Sequence, residues 1–377
     1  MGMKYVHSVC SEIPRGGVGG IAYHAMDQMN RRGFLKKGFI MNQNKGGNIG
    51  PLTKFFFPPK PPYFPIDAYY SIRNTIFDNF VAQMMPKDAD IFHGWIGHGM
   101  KSFERAKAMG IRTVTHGASL HPVDQNKILV EEFAKYKVND APLSAKTVDK
   151  YVKELRNVEY IAASCDVSKD SFIQNGYPEE NVFETPFGVD TEKYTPGEKT
   201  DDIFRAIFIG TVGLRKGPQY LLDAWTKWKA NNKELVILGP IESTIAPIMA
   251  PFRNSKDVRW VKWSDDLKKM CNDSSVFILP ALEEGGTTLA QMTAMACGLP
   301  CIVTHATYFP VRDGKEGLII DERDLTQIKE ALKYFKDNPS EVKRMGKNAR
   351  KRAEKYTWDY YGQTLEKMFK EIMERGS

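Results

Sequence analysis

Three short stretches of the chain hold residue types that can bind phosphate or grip a sugar. In Phe208-Ile209-Gly210-Thr211-Val212-Gly213-Leu214-Arg215-Lys216-Gly217, two adjacent cations stand between glycines, after a strand-like run and before a helical one. An arginine can fork two phosphate oxygens, and a lysine supplies a compact point charge. In Pro280-Ala281-Leu282-Glu283-Glu284-Gly285-Gly286-Thr287-Thr288, paired carboxylates meet a glycine turn and a helix start. Carboxylates accept from sugar hydroxyls, while the N–H groups and threonines of a helix start suit a diphosphate. The third stretch, Pro14-Arg15-Gly16-Gly17-Val18-Gly19-Gly20, follows the first strand-like run and opens a helix. Its spacing is not that of a dinucleotide fingerprint, and Met41-Asn42 stands where an acidic ribose partner is wanted, which disfavours a nicotinamide cofactor. Each stretch also has a plainer reading. Charged loop residues are mostly solvated, and a glycine turn needs no ligand.

Two histidines, His93 and His116, each end a strand-like run just before a glycine. Such a histidine either orients a bound hydroxyl or is bonded to nearby backbone.

These residues must be positioned by a chain of 377 residues, too long for one ordinary core and suited to two. It is 42% hydrophobic and 26% charged, the profile of a globular protein. With 53 basic and 46 acidic residues the formal charge is +7. That mild basicity favours phosphate-bearing ligands or an anionic membrane face, and without a concentrated basic arm it argues against nucleic acid. The run from Gly285 to Val311 lacks Asp, Glu, Lys and Arg, but threonines, Gln291, Gly298, Pro300 and His305 punctuate it too densely for a spanning helix. No basic region followed by an apolar one marks a secretion signal at the amino end. The five cysteines show no metal-ligand spacing and read as reduced core residues, so a cytoplasmic location is expected.

Strand-like and helical runs alternate from the start: Tyr5 to Val9, Ile21 to Arg32, Gly38 to Met41. Between Gly46 and Pro65 the rhythm breaks into prolines and aromatics, and regular structure is not expected there. It resumes with Asp90 to Trp95 and Arg112 to Thr115 as strands, and with two lysine-rich helical segments at about Val123 to Lys137 and Ser144 to Asn157. The turn-rich stretch Pro186 to Asp202 reads as a connection between domains, after which the alternation restarts. The pattern predicts an α/β protein of two Rossmann-like, doubly wound parallel sheets, with residues 1–190 as the first domain, 191–202 as linker, 203–355 as the second and 356–377 as a closing helix. Open sheets of this kind bind ligands at the carboxyl ends of their strands, so the cleft such domains would leave between them is the place to look.

At this point the chain resembles the retaining family-4 glycosyltransferases, whose two facing Rossmann-like domains form the GT-B arrangement. Ala294-Met295-Ala296-Cys297-Gly298-Leu299-Pro300 is close to the family's Glu-Ala-Met-Ala-x-Gly-x-Pro, and Phe187-Gly188-Val189-Asp190 with Tyr194-Thr195-Pro196 is similar to its linker motif. The loop Gly210 to Gly217, the pair Gly16-Gly17 and the stretch Lys347 to Trp358 are similar to its phosphate loop, amino-terminal glycine pair and closing helix. The resemblance implies that the closing helix packs back on the first domain, which receives the acceptor. It also implies transfer of a sugar, with retention, from a nucleotide diphosphate donor to an acceptor hydroxyl on a glycan, a lipid-linked or a small molecule. No obligatory metal and no cofactor beyond the co-substrate are implied.

In that reading Lys216 and Arg215 neutralise the donor diphosphate, Glu284 contacts the transferred sugar, and His116 orients a hydroxyl or shields an oxocarbenium-like centre. Gly16, Gly17, Gly210, Thr211, Glu283, Gly285, Gly286, Thr287, Thr288, Gln291 and Thr293 bind the donor, and Val261, Lys262, Trp263 and Ser264 lie by the base, whose identity stays open. The chain departs from the pattern in several places. Thr293 stands where the second glutamate belongs, so Gln291 or Thr293 takes the ribose. Gly210-Thr211-Val212 replaces the Gly-Arg-Leu opening of the phosphate loop, Phe187 replaces the linker asparagine, and His305 to Phe309 replaces a glycine pair and glutamate. Two further readings stand beside the main one. One is an epimerase or phosphorylase on the same scaffold. The other, prompted by Thr293, is a non-catalytic sugar-nucleotide or glycan-binding subunit. The aromatic segment 51–65, with Lys54 and Lys60, is expected to form an acceptor lid or a peripheral membrane contact.

Overall fold

A computed structural model describes residues 2–14, 16–43, 49–138 and 143–375. Arg15 and the Gly46-Gly47 start of the irregular stretch therefore lie outside the described residues. The chain divides into two compact units: residues 1–123, 143–186 and 358–377 form one, and residues 124–142 and 187–357 the other.

The first unit is built on a seven-stranded parallel sheet of order β3-β2-β1-β4-β5-β6-β7. Its strands are β1 (Tyr5–Ile13), β2 (Leu35–Gln43), β3 (Leu52–Lys54), β4 (Ile91–Trp95), β5 (Arg112–Gly117), β6 (Tyr160–Ala163) and β7 (Val182–Glu184). Between and around them run α1 (Gly16–Arg31), α2 (Ile66–Met84), α3 (Met100–Ala108), α5 (Ala145–Leu155) and α6 (Asp166–Gln174), while α4 (Pro122–Lys135) follows β5 in the chain. Near-continuous runs of Val, Ile, Phe and Ala in the central strands fit burial on both faces, as parallel sheets require.

The expectation of no regular structure between Gly46 and Pro65 is corrected by β3. Leu52, Thr53 and Lys54 precede the proline cluster, so their N–H groups are available to extend the sheet at its β2 edge. Helix α2, which the sequence reading passed over, follows the prolines. Its Tyr69 hydroxyl donates to the Pro58 carbonyl at 2.7 Å and its ring meets Phe57, tying the aromatic segment down, while Phe56 (83%) and Tyr63 (102%) stay exposed.

The second unit carries a six-stranded parallel sheet of order β10-β9-β8-β11-β12-β13. Its elements are β8 (Phe204–Ile209), α7 (Pro218–Lys227), β9 (Lys233–Leu238), α8 (Ala246–Met249), β10 (Val258–Val261), α9 (Leu267–Asn272), β11 (Val276–Leu279), α10 (Leu289–Ala296), β12 (Cys301–Thr304), β13 (Gly317–Ile320), α11 (Leu325–Asp337) and α12 (Pro339–Ala353). Its core joins the inner strands to Trp225, Leu221, Met295, Leu332 and Phe335. In both sheets consecutive connections run outward in one direction and then reverse, between β1 and β4 and between β8 and β11, creating a switch point where strand ends splay and ligands fit.

Two segments leave the unit of their sequence neighbours. Residues 124–142, inside the expected domain 1–190, belong to the second unit because Phe133 enters its core with Ile128 and Tyr136 packed beside it. The last helix, α13 (Trp358–Glu374), belongs to the first unit. It buries Tyr361, Leu365, Met368, Phe369 and Ile372, and Arg32 at the end of α1 pairs with Asp359 and Glu366, both at 3.0 Å.

Under α13 the sheet face is polar. Tyr5 and His7 on β1, His93 and Trp95 on β4 and His116 on β5 alternate onto one face, and all are buried. An indole N–H can only donate, so Trp95 Nε1, 3.2 Å from His7 Nε2, makes that nitrogen the acceptor. His7 Nδ1–H then donates to the Tyr5 hydroxyl at 2.6 Å, and the hydroxyl donates to His93 Nδ1 at 2.9 Å. The chain of donors leaves the remaining proton on His93 Nε2, which has no partner among the described residues.

Candidate active site

The loops that follow β8, β9, β10 and β11 all rise from the carboxyl edge of the second sheet. After β8, the phosphate-type loop closes at Gly217, whose φ of +70° suits glycine and whose absent Cβ would stand 1.8 Å from the Pro280 carbonyl oxygen. That approach sets the 210–217 loop against the start of the acidic one, and the Leu282 N–H donates to the Arg215 carbonyl at 2.8 Å. Val212 is laced to the strand-like stretch after β9 by its N–H to Pro240 and by its carbonyl to the Glu242 N–H.

Four of the predicted residues meet here as an ion cluster. Glu284 Oε1 lies 2.6 Å from Lys216 Nζ and 2.9 Å from Arg215 Nη2, and Arg215 Nη1 lies 3.3 Å from Glu283 Oε2. Burial pushes the Glu284 carboxyl up, but Arg215 and Lys216 outweigh it and hold the group below its ordinary range, as an anion. Burial likewise acts against the Arg215 charge, and Glu284 and Glu283 more than offset that. Two cations thus face two carboxylates, and without ligand the cluster is self-neutralised.

The glycine turn is partly spent on itself. Gly285 N–H donates to Glu283 Oε1 at 3.1 Å, and Gly286 N–H to the Ala306 carbonyl at 2.9 Å. Those two N–H groups, expected to hold the diphosphate, are thus engaged inside the protein. The donors that remain are further along. Thr288 caps α10, accepting from the Gln291 N–H at 3.1 Å, and the helix start presents its first N–H groups beyond that cap. Beside it, Thr287 Oγ1 and Gln291 Oε1 are buried with no partner among the described residues.

Gln291 or Thr293 is expected to take the ribose. The Gln291 amide nitrogen donates to the Phe309 carbonyl at 3.1 Å, and both side chains are buried. The 305–309 stretch, where the family pattern is lost, therefore still buttresses α10. Gly210 and Thr211 sit at the end of β8, and Lys262 and Trp263 are exposed beyond β10, with Val261 and Ser264 half-buried. Gly16 and Gly17 open α1 in the first unit and are exposed. His116 is buried in that unit, its ring 4.7 Å from Trp95 and 6.2 Å from Tyr361. Burial lowers its pKa to about 3, so it is a neutral imidazole at pH 7.

Sequence reasoning missed three contributors. Glu242 packs against the phosphate-type loop, where a Cβ on Gly213 would meet its carboxylate at 2.6 Å. Gln125 donates to Glu283 Oε2 at 2.8 Å, and Glu132 accepts from Gln219. None carries a local signal, since each acts across the fold. An Asp-x-Asp triplet was not expected in this chain, but Asp88-Ala89-Asp90 is one. It lies at the amino end of β4, where Asp88 pairs with Lys4 and Lys36 and Asp90 accepts the Lys4 N–H.

Residues 190–352 match the family model described as glycosyl transferases group 1. Over these residues, fewer than half of the chain, the sequence is similar to that family. The match covers the whole ion cluster and α10, from the phosphate-type loop through the Ala-Met-Ala run. Among curated proteins the chain is 28% identical over 227 residues to an MMP alpha-(1->4)-mannosyltransferase of Mycolicibacterium hassiacum, covering 56% of this chain and 53% of that one. It is 26% identical to a D-inositol 3-phosphate glycosyltransferase of Corynebacterium jeikeium, covering 51% and 52%. The chain spans about half the length of the curated relatives it matches. Among solved structures, a sucrose-phosphate synthase from Thermosynechococcus elongatus superposes with a TM-score of 0.78 at 14% identity, covering 99% of this chain and 100% of that one. HepE of Anabaena, solved in complex with UDP and glucose, gives 0.70 at 14%, covering 98% and 100%. These likenesses establish the GT-B glycosyltransferase fold.

Proposed function

We propose that the protein is a glycosyltransferase that moves a sugar, with retention, from a nucleotide diphosphate donor to an acceptor hydroxyl. The observation that carries this reading is the pairing of Arg215 and Lys216 with Glu283 and Glu284 at the switch point of the second sheet, beside two buried polar atoms that lack partners among the described residues. Buried polar groups are nearly always satisfied, so Thr287 Oγ1 and Gln291 Oε1 mark a place for a polar ligand. In the reaction the bond from the anomeric carbon to the diphosphate oxygen breaks, a bond to the acceptor oxygen forms, and the acceptor proton leaves with the nucleotide or to solvent. An arriving diphosphate draws Arg215 and Lys216 away from Glu284, and the freed carboxylate accepts from the sugar hydroxyls. Negative charge growing on the leaving group meets fixed cations and the start of α10, which supports transfer without an obligatory metal. His116, neutral at pH 7, serves as a hydrogen-bonding partner to a hydroxyl rather than as an acid.

HepE, a neighbour in fold, was solved with UDP and glucose and with UDP-glucose, which supports a nucleotide-sugar donor. The acceptor is a glycan, a lipid-linked or a small molecule, and segment 51–65 is the surface that would close over it or rest on a membrane from the cytoplasmic side. Exposed Phe56 and Tyr63 motivate that assignment.

A thermal-shift panel of UDP-, GDP-, ADP- and dTDP-sugars tests the reading. One donor at about a hundredfold its dissociation constant should stabilise the wild type by about 2.7 kcal/mol, and Lys216→Ala should lose most of that shift. No response to any donor, or an equal response in Lys216→Ala, would remove the proposal.

A further inference from the structure

Helix α4 comes from the first half of the sequence, yet from Asp124 onward it lies in the second unit. It touches the acidic loop of the candidate site directly and the phosphate-type loop through Gln219. Near its start, Gln125 Nε2 donates to Glu283 Oε2 at 2.8 Å. Two turns on, at the i+7 position and so on the same face, Glu132 is fully buried. Its carboxylate accepts from Gln219 Nε2 at 2.9 Å, from the Tyr220 hydroxyl at 2.8 Å and from Arg323 Nε at 2.8 Å. The same Gln219 amide also donates to the Leu214 carbonyl at 3.0 Å, inside the phosphate-type loop. Leu129 and Phe133 are buried, and Phe133 belongs to the second core, so the helix is seated by packing as well as by polar contacts.

Building this array has a physical consequence. Among the described residues, one Glu283 oxygen takes the Gly285 N–H, and the other is shared between Gln125 and the more distant Arg215 at 3.3 Å. A carboxylate relieved of its amide partner would close on the guanidinium. Charge-assisted contacts of that kind normally run near 2.7–2.9 Å. Arg215 would then be withdrawn from any arriving phosphate, and the glycine turn would lose its fixed anchor.

We propose that α4 is a positioning element of the donor site, in which Gln125 holds the Glu283 carboxylate off Arg215 and Glu132, through Gln219, holds the phosphate-type loop. Gln125 acts through Glu283 and is a positioning residue. The inference rests on the donor-site reading above, because it assigns α4 a part in binding a nucleotide diphosphate.

The test is calorimetric titration of UDP, GDP and ADP into the full chain, with Lys216→Ala as the control for the site itself. The variants are Gln125→Ala, Gln125→Met, which keeps the side-chain length but lacks the amide, Glu283→Gln, and the double variant Gln125→Met with Glu283→Gln. Gln125→Ala and Gln125→Met should each weaken the nucleotide that the wild type binds by about tenfold. In the Glu283→Gln background the Gln125 change should cost almost nothing, because contacting residues that act as a unit are not additive. Unchanged melting temperatures in Gln125→Met would exclude unfolding as the cause. If the wild type binds and Lys216→Ala does not, while Gln125→Met binds like the wild type, the role of α4 is refuted and the donor site stands. Full additivity in the double variant refutes action through Glu283. If the wild type binds none of the three nucleotides, the donor-site reading falls and this inference with it.

Discussion

Glu284 holds two cations at once, Lys216 at 2.6 Å and Arg215 at 2.9 Å, and is therefore the residue that a phosphate must displace. Glu284→Gln should leave both cations under-neutralised while replacing one of the two acceptor oxygens for sugar hydroxyls by a donor and removing the charge of the other. Free UDP, GDP or ADP should then bind more tightly than to the wild type, by about 1 kcal/mol or roughly fivefold, and sugar transfer should fall at least about tenfold. Calorimetry with the free nucleotide and a product assay with its sugar check the two halves separately, and weaker nucleotide binding in the variant would contradict the displacement argument. At this scale Arg215, Lys216, Glu283 and Glu284 were legible in the sequence, because charges beside glycines at the joint of a strand and a helix carry a local signal. The partners of Glu283 were not. Gln125 lies 158 residues from it, and one glutamine in a lysine-rich helix has no local feature that sets it apart.

At the scale of elements, the alternation of runs located most strands and the helices around the site, whereas α2 and β3 escaped. Prolines at 58, 59, 61 and 62 do interrupt regular structure, but the chain before them is free to add an edge strand and the chain after them to start a helix. The aromatic segment between β3 and α2 then has a definite shape. Phe57 and Tyr69 pack together, Lys60 donates to the carbonyls of Pro61 and Phe64, and Phe56 and Tyr63 point to solvent. No described helix is long and apolar enough to cross a membrane, so membrane contact through this segment would be peripheral. Flotation with anionic vesicles should recover the wild type and lose most of Phe56→Ser with Tyr63→Ser. Equal recovery of both would end the membrane part of the proposal and leave the acceptor part.

At the scale of the whole molecule, the first unit buries several neutral imidazoles. Burial, with His116 adding to it, lowers His7 to about 3; burial lowers His116 to about 3 and His98 to about 4, and takes His93 well below its ordinary value. A folded pKa below the unfolded value of about 6.5 means that the unfolded chain binds more protons in between. The resulting stability is complete above pH 6.5 and is lost as pH falls toward about 3. Glu154, raised by burial to about 7, works in the opposite sense between about 7 and 4.5, and burial also raises Asp78 and Glu242, but the four imidazoles outnumber these carboxyls. Urea midpoints should therefore drop between pH 7 and pH 5, each histidine contributing up to about 1.4 kcal/mol per pH unit. His7→Gln should flatten that slope, and an unchanged slope would refute the account.

What the sequence determined by itself is what short stretches can encode: alternating strands and helices, a break into two parallel sheets, and cation and carboxylate loops at strand ends. Those follow from side-chain periodicity, turn residues and burial, which act over a few residues. The tertiary structure alone decided that α4 from the first half completes the second unit, that α13 closes over the histidine face of the first, and that Gly285 and Gly286 spend their N–H groups internally. Apart from the Gly285 N–H to Glu283 bond, which spans two residues, these are pairings between groups far apart in the chain that only the folded sheets bring together.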